Sequence, residues 1–237
     1  LARRGRAARL TERAAWRPPT GRSLEEKSLS EHGLAAPERK VGRVLLIACG
    51  ALAREILAIK EANGMDHLDL TCLPAKLHLY PDQITKSVEA AVLKHRAVYD
   101  EIFIGYADCG TGGQLERKCA ELGVEMVKGP HCYSFFEGND AFANRSDAGE
   151  ITAFYLTDFL VKQFDAFIWR PMGLDKNPEL RDMIFGNYTT LVYQSQVEDP
   201  GLLAKAKECA NRMGLRFEHR HTGYGDLETQ LRDWTQD

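Results

Sequence analysis

The sequence predicts an α/β protein, a Rossmann-like doubly wound and mainly parallel sheet with a helical insertion in its second half. Three observations carry this. Short β-branched and leucine-rich runs alternate with segments of helical period from Val41 onward, the connections between them are short, and Gly or Pro marks most of the boundaries. Parallel strands need crossover helices, so a repeated β-α rhythm implies a sheet covered on both faces.

Residues 43–48 form the first strand, and 51–61 the first helix, with Leu52, Ile56 and Ile59 at buried-face spacing. Residues 68–73 are a second strand, after which Pro81 opens a helix to about Arg96 that carries Ile84, Val88 and Val92 on one side. A third strand at 101–106, a helix at 114–122 stopped by Gly123, and a fourth strand at 124–127 complete this half. The aromatic-rich stretch 150–164 reads as a helix, and 178–183 as a short one. The rhythm then resumes with strands at 189–194 and 215–220 and helices at 202–213 and 227–234. Residues 41–237 are therefore expected to be one α/β domain, in a single body or in lobes at 41–135 and 136–237.

Residues 1–40 differ in kind. They carry eight Arg and two Lys against five Glu, a net +5 where the remainder is −8. Such an arginine-rich stretch buries too little apolar surface to offset its ordering entropy, so it is expected to be a disordered, dispensable extension. A basic, acid-poor start also suits a nucleic-acid arm or a transit peptide, and nucleic-acid binding is not expected of the body. No apolar run reaches the roughly 18 residues of a membrane span. Six cysteines without a secretory signal suit reduced thiols, and the expected compartment is the cytoplasm.

Three of those cysteines end strands: Cys49 after the first, Cys109 after the third, and Cys132 in Gly129-Pro130-His131-Cys132. The carboxyl ends of parallel strands share one edge, so these thiols can converge there. Three thiolates and the His131 imidazole match the ligand count of a zinc site, and three thiolates with an open position match zinc or an iron–sulfur cluster. No C-x-x-C pair is present, so the spacing does not choose among zinc, a cluster and inert buried thiols. Cys119 and Cys209 lie on helical apolar stripes and read as core.

The turn Asp108-Cys109-Gly110-Thr111-Gly112-Gly113 could let backbone N–H groups approach an anion, or clear space for a cofactor beside Cys109. Neither a dinucleotide fingerprint nor a P-loop is present. Asp108 is either an acceptor that orients His131 or a helix cap. Lys76 and His78 follow the second strand and belong to the same edge as cofactor-binding candidates. Asp158, amid Leu156, Phe159 and Leu160, is a paired core carboxylate or a group aimed at the cleft. His219, His221 and Tyr224 follow the last strand beside a flexible turn.

Ile47-Ala48-Cys49-Gly50, Leu73-Pro74-Ala75-Lys76-Leu77-His78, Asp108-Cys109-Gly110, His131-Cys132-Tyr133, Thr157-Asp158-Phe159, Gly173-Leu174-Asp175-Lys176 and Phe185-Gly186-Asn187-Tyr188 together resemble the bacterial and archaeal family catalogued as domain of unknown function 1638. The resemblance runs from about Val41 to Trp234. It implies a setting in corrinoid-dependent methyl metabolism, because members are often encoded near corrinoid methyltransferases and their corrinoid proteins. On this reading the protein holds a thiolate-ligated zinc ion or iron–sulfur cluster on Cys49, Cys109, Cys132 and His131. His131, Asp108 and Asp158 are the catalytic candidates, for methyl transfer between a small-molecule donor and acceptor, with a corrinoid protein or methyltransferase as partner. A non-catalytic accessory that binds such a partner and a metal-free thiol redox protein are the alternatives.

Overall fold

In the computed structural model, residues 24–37, 43–144 and 152–235 are described. The first sheet contains β1 (Val44–Cys49), β2 (Leu68–Leu73), β3 (Glu101–Gly105) and the two-residue β4 (Glu125–Met126), all parallel in the order β2-β1-β3-β4. The second holds β5 (Ala153–Thr157), β6 (Thr190–Ser195) and β7 (Arg216–His221), parallel and in sequence order. The fold is thus α/β and Rossmann-like, with two parallel sheets in place of one. Every residue of β1 is buried, as a central strand covered on both faces requires. Helices α2 (Ala53–Ala62), α3 (Pro81–His95) and α4 (Gln114–Leu122) make the crossovers of the first sheet.

Two short helices, α5 (Ser134–Glu137) and α6 (Asn139–Ala143), precede β5. The helical insertion lies between β5 and β6 and comprises α7 (Asp158–Lys162), a π turn at Asp165–Trp169, a 3-10 turn at Pro178–Leu180 and α8 (Arg181–Phe185). The expected helix over 150–164 is corrected here. Residues 153–157 pair with β6 as a strand and only 158–162 are helical, while 150–151 lie outside the described residues. A continuous apolar run suits a strand buried on both faces as well as a helix face, and pairing with β6 decides between them. Thr157 then starts the helix, its side-chain oxygen accepting from the Leu160 N–H at 3.4 Å.

The expectation of a disordered segment through residue 40 is also corrected for residues 24–37; residues 1–23 and 38–42 lie outside the described residues. Glu26–Glu31 is a helix, here α1, and Leu24, Leu29 and Leu34 belong to the core. Leu34 and Cys72 exchange backbone hydrogen bonds of 2.8 and 2.7 Å, an antiparallel bridge on the outer edge of β2. Gly33 makes this possible. Its φ is +72°, and a Cβ there would sit 1.9 Å from the Cys72 carbonyl oxygen. The three leucines supply what the basic composition concealed.

Helices α9 (Pro200–Met213) and α10 (Gly225–Thr235) follow β6 and β7, and α10 returns to the first sheet. There Trp234 stacks on Phe103 with ring centroids 4.6 Å apart and donates from Nε1 to Glu125 at 2.9 Å. One hydrophobic core runs through both lobes.

Candidate functional site

The turn from β3 into α4 is built under strain. Cys109, at φ 48°, is the only non-glycine residue with positive φ among the described residues, and Gly110, Gly112 and Gly113 after it are also left-handed. Such a backbone costs a residue with a Cβ about 1–2 kcal/mol. The Asp108 carboxylate holds the turn, accepting from Thr111 Oγ1 at 2.7 Å, the Gly113 N–H at 2.6 Å and the Gly112 N–H at 3.2 Å. Burial pushes its pKa upward, but these loop donors outweigh it and leave the carboxyl below its ordinary range. Asp108 therefore acts as the anchor of the turn, and Thr111 links it to α4 by accepting from the Leu115 N–H at 3.4 Å.

Two backbone hydrogen bonds lay the segment after β4 along this turn, Asp108 N–H to Gly129 O at 3.1 Å and Cys109 N–H to Pro130 O at 3.0 Å. They bring the Cys132 sulfur to 3.1 Å from that of Cys109. The two thiols titrate as a pair. Hydrogen bonding from Cys132 favours the Cys109 thiolate, burial opposes it, and backbone N–H groups complete the lowering. Cys132 is driven up by that same hydrogen bond, by burial and by the negative charge of its neighbour. The two titrations are therefore coupled, with the thiolate favoured on Cys109 and the proton on Cys132.

The four expected metal ligands do not close into one set. Cys109 and Cys132 meet, and Cys49 lies near enough to interact electrostatically with both, but burial pushes its thiol up to about 12. The His131 ring stacks on Tyr133 at 4.9 Å and meets the edge of Phe142 at 6.2 Å. Among the described residues no three His, Cys, Asp or Glu side chains are arranged to hold a metal ion. Cys119 and Cys209 are buried in α4 and α9 as their helical spacing predicts.

Tyr106 was not anticipated. Fully buried, its phenol is raised by burial and then by Cys49, Cys132, Cys72 and Cys109, so four thiols surround it. Its hydroxyl is turned toward Cys49 and lowers that thiol, yet makes no hydrogen bond of ordinary geometry. Glu55 was missed as well. It lies buried on α2 with Oε2 unpartnered, and burial raises its carboxyl to about 7, with Asp158 adding to the rise and Lys162 and Arg54 opposing it. The signal was present in the sequence, since Glu55 falls on the same helical stripe as Leu52, Ile56 and Ile59.

Cys132 opens onto a narrow cleft between the lobes, at the carboxyl ends of β1, β2 and β5, with a cavity of about 30 Å³. This is where open α/β sheets bind ligands. His78 and Thr157 also line it. Burial lowers the His78 imidazole and His131 lowers it further, which favours the neutral ring. Lys76 instead reaches away to Glu31 of α1 at 2.8 Å. Asp158 is a paired core carboxylate: its Oδ1 accepts from Tyr193 Oη at 2.7 Å and its Oδ2 from the Val197 N–H at 3.2 Å. At the ends of β6 and β7, Ser195 Oγ lies 2.9 Å from His219 Nε2 and 3.0 Å from His221 Nδ1. A wider cleft at the opposite end of the first sheet, lined by Arg96, Tyr99 and Glu101 among others, carries no thiol.

Fold and site together define an α/β protein of two parallel sheets that carries a strained dithiol turn at the cleft between them. The chain belongs to the family described as "Protein of unknown function (DUF1638)", whose model matches residues 72–231. The match takes in Cys109, His131 and Cys132 and begins after Cys49. No curated protein matches the chain. Among solved structures, ornithine carbamoyltransferase from Pyrococcus furiosus is similar at 15% identity and a TM-score of 0.27, over 77% of this chain and 55% of that one. No helix among the described residues is long and apolar enough to cross a membrane.

Proposed function

We propose that this protein is a dithiol protein in which Cys109 and Cys132 exchange two electrons with a disulfide substrate that approaches Cys132 from the inter-lobe cleft. The contact of 3.1 Å between the two sulfurs carries the reading. Their unequal acidities place the proton on Cys132 at rest, and the same contact is the path by which it passes to Cys109 as Cys132 attacks. Cys132 faces the cleft. In the exchange, Cys109 accepts the Cys132 proton and the Cys132 sulfur attacks one sulfur of the substrate disulfide. The substrate S–S bond breaks, and the thiolate released takes the proton from Cys109. The Cys109 thiolate then attacks the Cys132 sulfur, expels the second substrate thiolate and closes a Cys109–Cys132 disulfide. The protein dithiol is oxidised and the substrate disulfide reduced. Mass mapping after a disulfide challenge tests this: the unmodified chain should form the Cys109–Cys132 bond, and Cys109→Ser should stop at a mixed disulfide on Cys132. Oxidation that leaves the two residues unlinked defeats the reading.

A second reading keeps the soft-metal centre, zinc or an iron–sulfur cluster, in corrinoid-linked one-carbon metabolism. Its support is the gathering of Cys49, Cys72, Cys109 and Cys132 around one buried phenol, together with the family resemblance. Anaerobic purification with metal and sulfide analysis separates the two readings. Stoichiometric metal that is lost in Cys109→Ser and kept in Cys209→Ser favours the metal centre over the dithiol.

A further inference from the structure

The cavity beside Cys132 holds about 30 Å³, the room of about one water, so a reactant that meets this sulfur must first part the walls. One wall is Ala51 and Leu52, in the 3-10 turn Gly50–Leu52 that leads into α2, and the facing wall is Phe159 and Leu160 of α7. Arg54 stands two residues beyond Leu52, and Lys162 two beyond Leu160. Both reach one atom of α1: Glu26 Oε1 lies 3.0 Å from Arg54 Nε and 3.4 Å from Lys162 Nζ, with all three side chains partly buried. Resting on the dithiol reading for its purpose, we propose that Glu26 is a latch that holds the two walls together and so gates access to Cys132.

The seating of α1 fits this role. It is fixed to the first lobe, where a Cβ on Gly50 would meet the Leu29 carbonyl oxygen at 2.5 Å, Glu31 pairs with Lys76 at 2.8 Å, and Arg54 Nη2 donates to Leu24 O at 2.5 Å. Lys162 belongs to the second lobe, so its contact with Glu26 crosses between them. At the far end of α2, Asn63 Nδ2 donates to Glu228 of α10 at 3.3 Å, and α10 packs on α2 and α5. The lobes are thus joined by packing at one end of α2 and by charge at the other, about 14 Å away at 1.5 Å per residue. Arg54 Nε makes no hydrogen bond of ordinary geometry, so its contact with Glu26 is one of charge. Such a pair is weak and screened by salt, which suits a contact that is made and broken while the packed end acts as pivot.

Two uncharged maleimides of different bulk, N-methylmaleimide and N-cyclohexylmaleimide, test this on the full chain, with the modified residue assigned by mass. The bulky-to-small ratio of their rates at Cys132, each divided by the rate with a small free thiol, cancels the reactivity of the sulfur and reports the room between the walls. Glu26→Gln should raise this ratio by about two- to fivefold, the shift that one partly exposed ion pair can hold. Added salt should raise it in the unmodified chain and not in Glu26→Gln. Glu31→Gln, which frees Lys76 within the first lobe, should leave it unchanged. Glu26→Lys together with Lys162→Glu should bring the ratio below that of either single variant, because opposite charges meet again; effects that merely add overturn the latch. So does a ratio unmoved by Glu26→Gln, one raised as far by Glu31→Gln, or a Cys132 that neither reagent modifies in either protein. If a variant loses its fold, judged by circular dichroism, a flat salt response in the unmodified chain still overturns it. A disulfide challenge judges the dithiol reading separately: a Cys109–Cys132 bond that forms while the ratio ignores Glu26 removes the latch alone, and a ratio that follows Glu26 while the two cysteines stay unlinked removes the dithiol alone.

Discussion

Leu34 and Cys72 pair through both of their backbone hydrogen bonds, so the stretch ahead of β1 serves as the cover on the edge of β2. Leu29, at 1% exposure, fixes that cover to the core. Leu29→Ala is expected to cost about 2–5 kcal/mol in a denaturant melt, the range for emptying a buried leucine site. Removing residues 1–37 should lower the melting temperature in the same direction. A truncated chain that melts with the full one would show that α1 contributes nothing.

The coupled titration makes a kinetic prediction. Iodoacetamide modification of the native protein should report a first thiolate titrating below the ordinary cysteine value, assignable by mass to the Cys109–Cys132 pair. Cys132→Ala removes the donated hydrogen bond, so the thiolate at Cys109 should appear at higher pH. Cys49, held at about 12, should stay unmodified while the fold is intact. An unchanged profile in Cys132→Ala would dismiss the pairing as the cause.

Backbone strain at Cys109 gives an unusual order of substitutions. Alanine normally stabilises a site relative to glycine, but at φ 48° the order should reverse, with Cys109→Gly more stable than Cys109→Ala by about 1 kcal/mol. Equal melting of the two variants would mean that the turn relaxes once the thiol is gone.

Glu55 sets a pH dependence. Its carboxyl is raised from the ordinary 4.5 to about 7, so the folded state binds the proton more tightly than the unfolded chain does. That contribution is complete below about 4.5 and is lost as pH rises through about 7. Glu55→Gln should therefore match the unmodified protein near the acid end of this window and exceed it above the upper end, by on the order of 3 kcal/mol. A constant offset at every pH would remove titration of Glu55 from the account.

Much of the architecture was legible because periodicity and burial agree. β1 reads as a continuous apolar run and is buried throughout, and α9 ends at Gly214 as its spacing predicts. Where a local pattern serves two structures, as at 153–157, only the β6 partner chooses, and that pairing is invisible in the segment itself. Composition misled at 24–37, because the arginines upstream dominate the average of 1–40 while three spaced leucines seat this part of it in the core. For the site, the strand-end rule brought Cys109 to Cys132, with Cys49 within electrostatic reach of both. What strand order alone does not state is depth: β1 is buried to its last residue, and that burial pushes the Cys49 thiol up to about 12.

The return of α10 to the first sheet has a consequence for synthesis. Phe103 waits for Trp234, and α10 also seats against α2 and α5, so the amino-terminal lobe is incomplete until residues 225–235 leave the ribosome. The nascent chain must then carry an exposed apolar face through the translation of the whole second lobe. Contacts so distant in sequence close slowly. Closure of the amino-terminal lobe is thereby coupled to completion of the second, and the two lobes gain their final packing together.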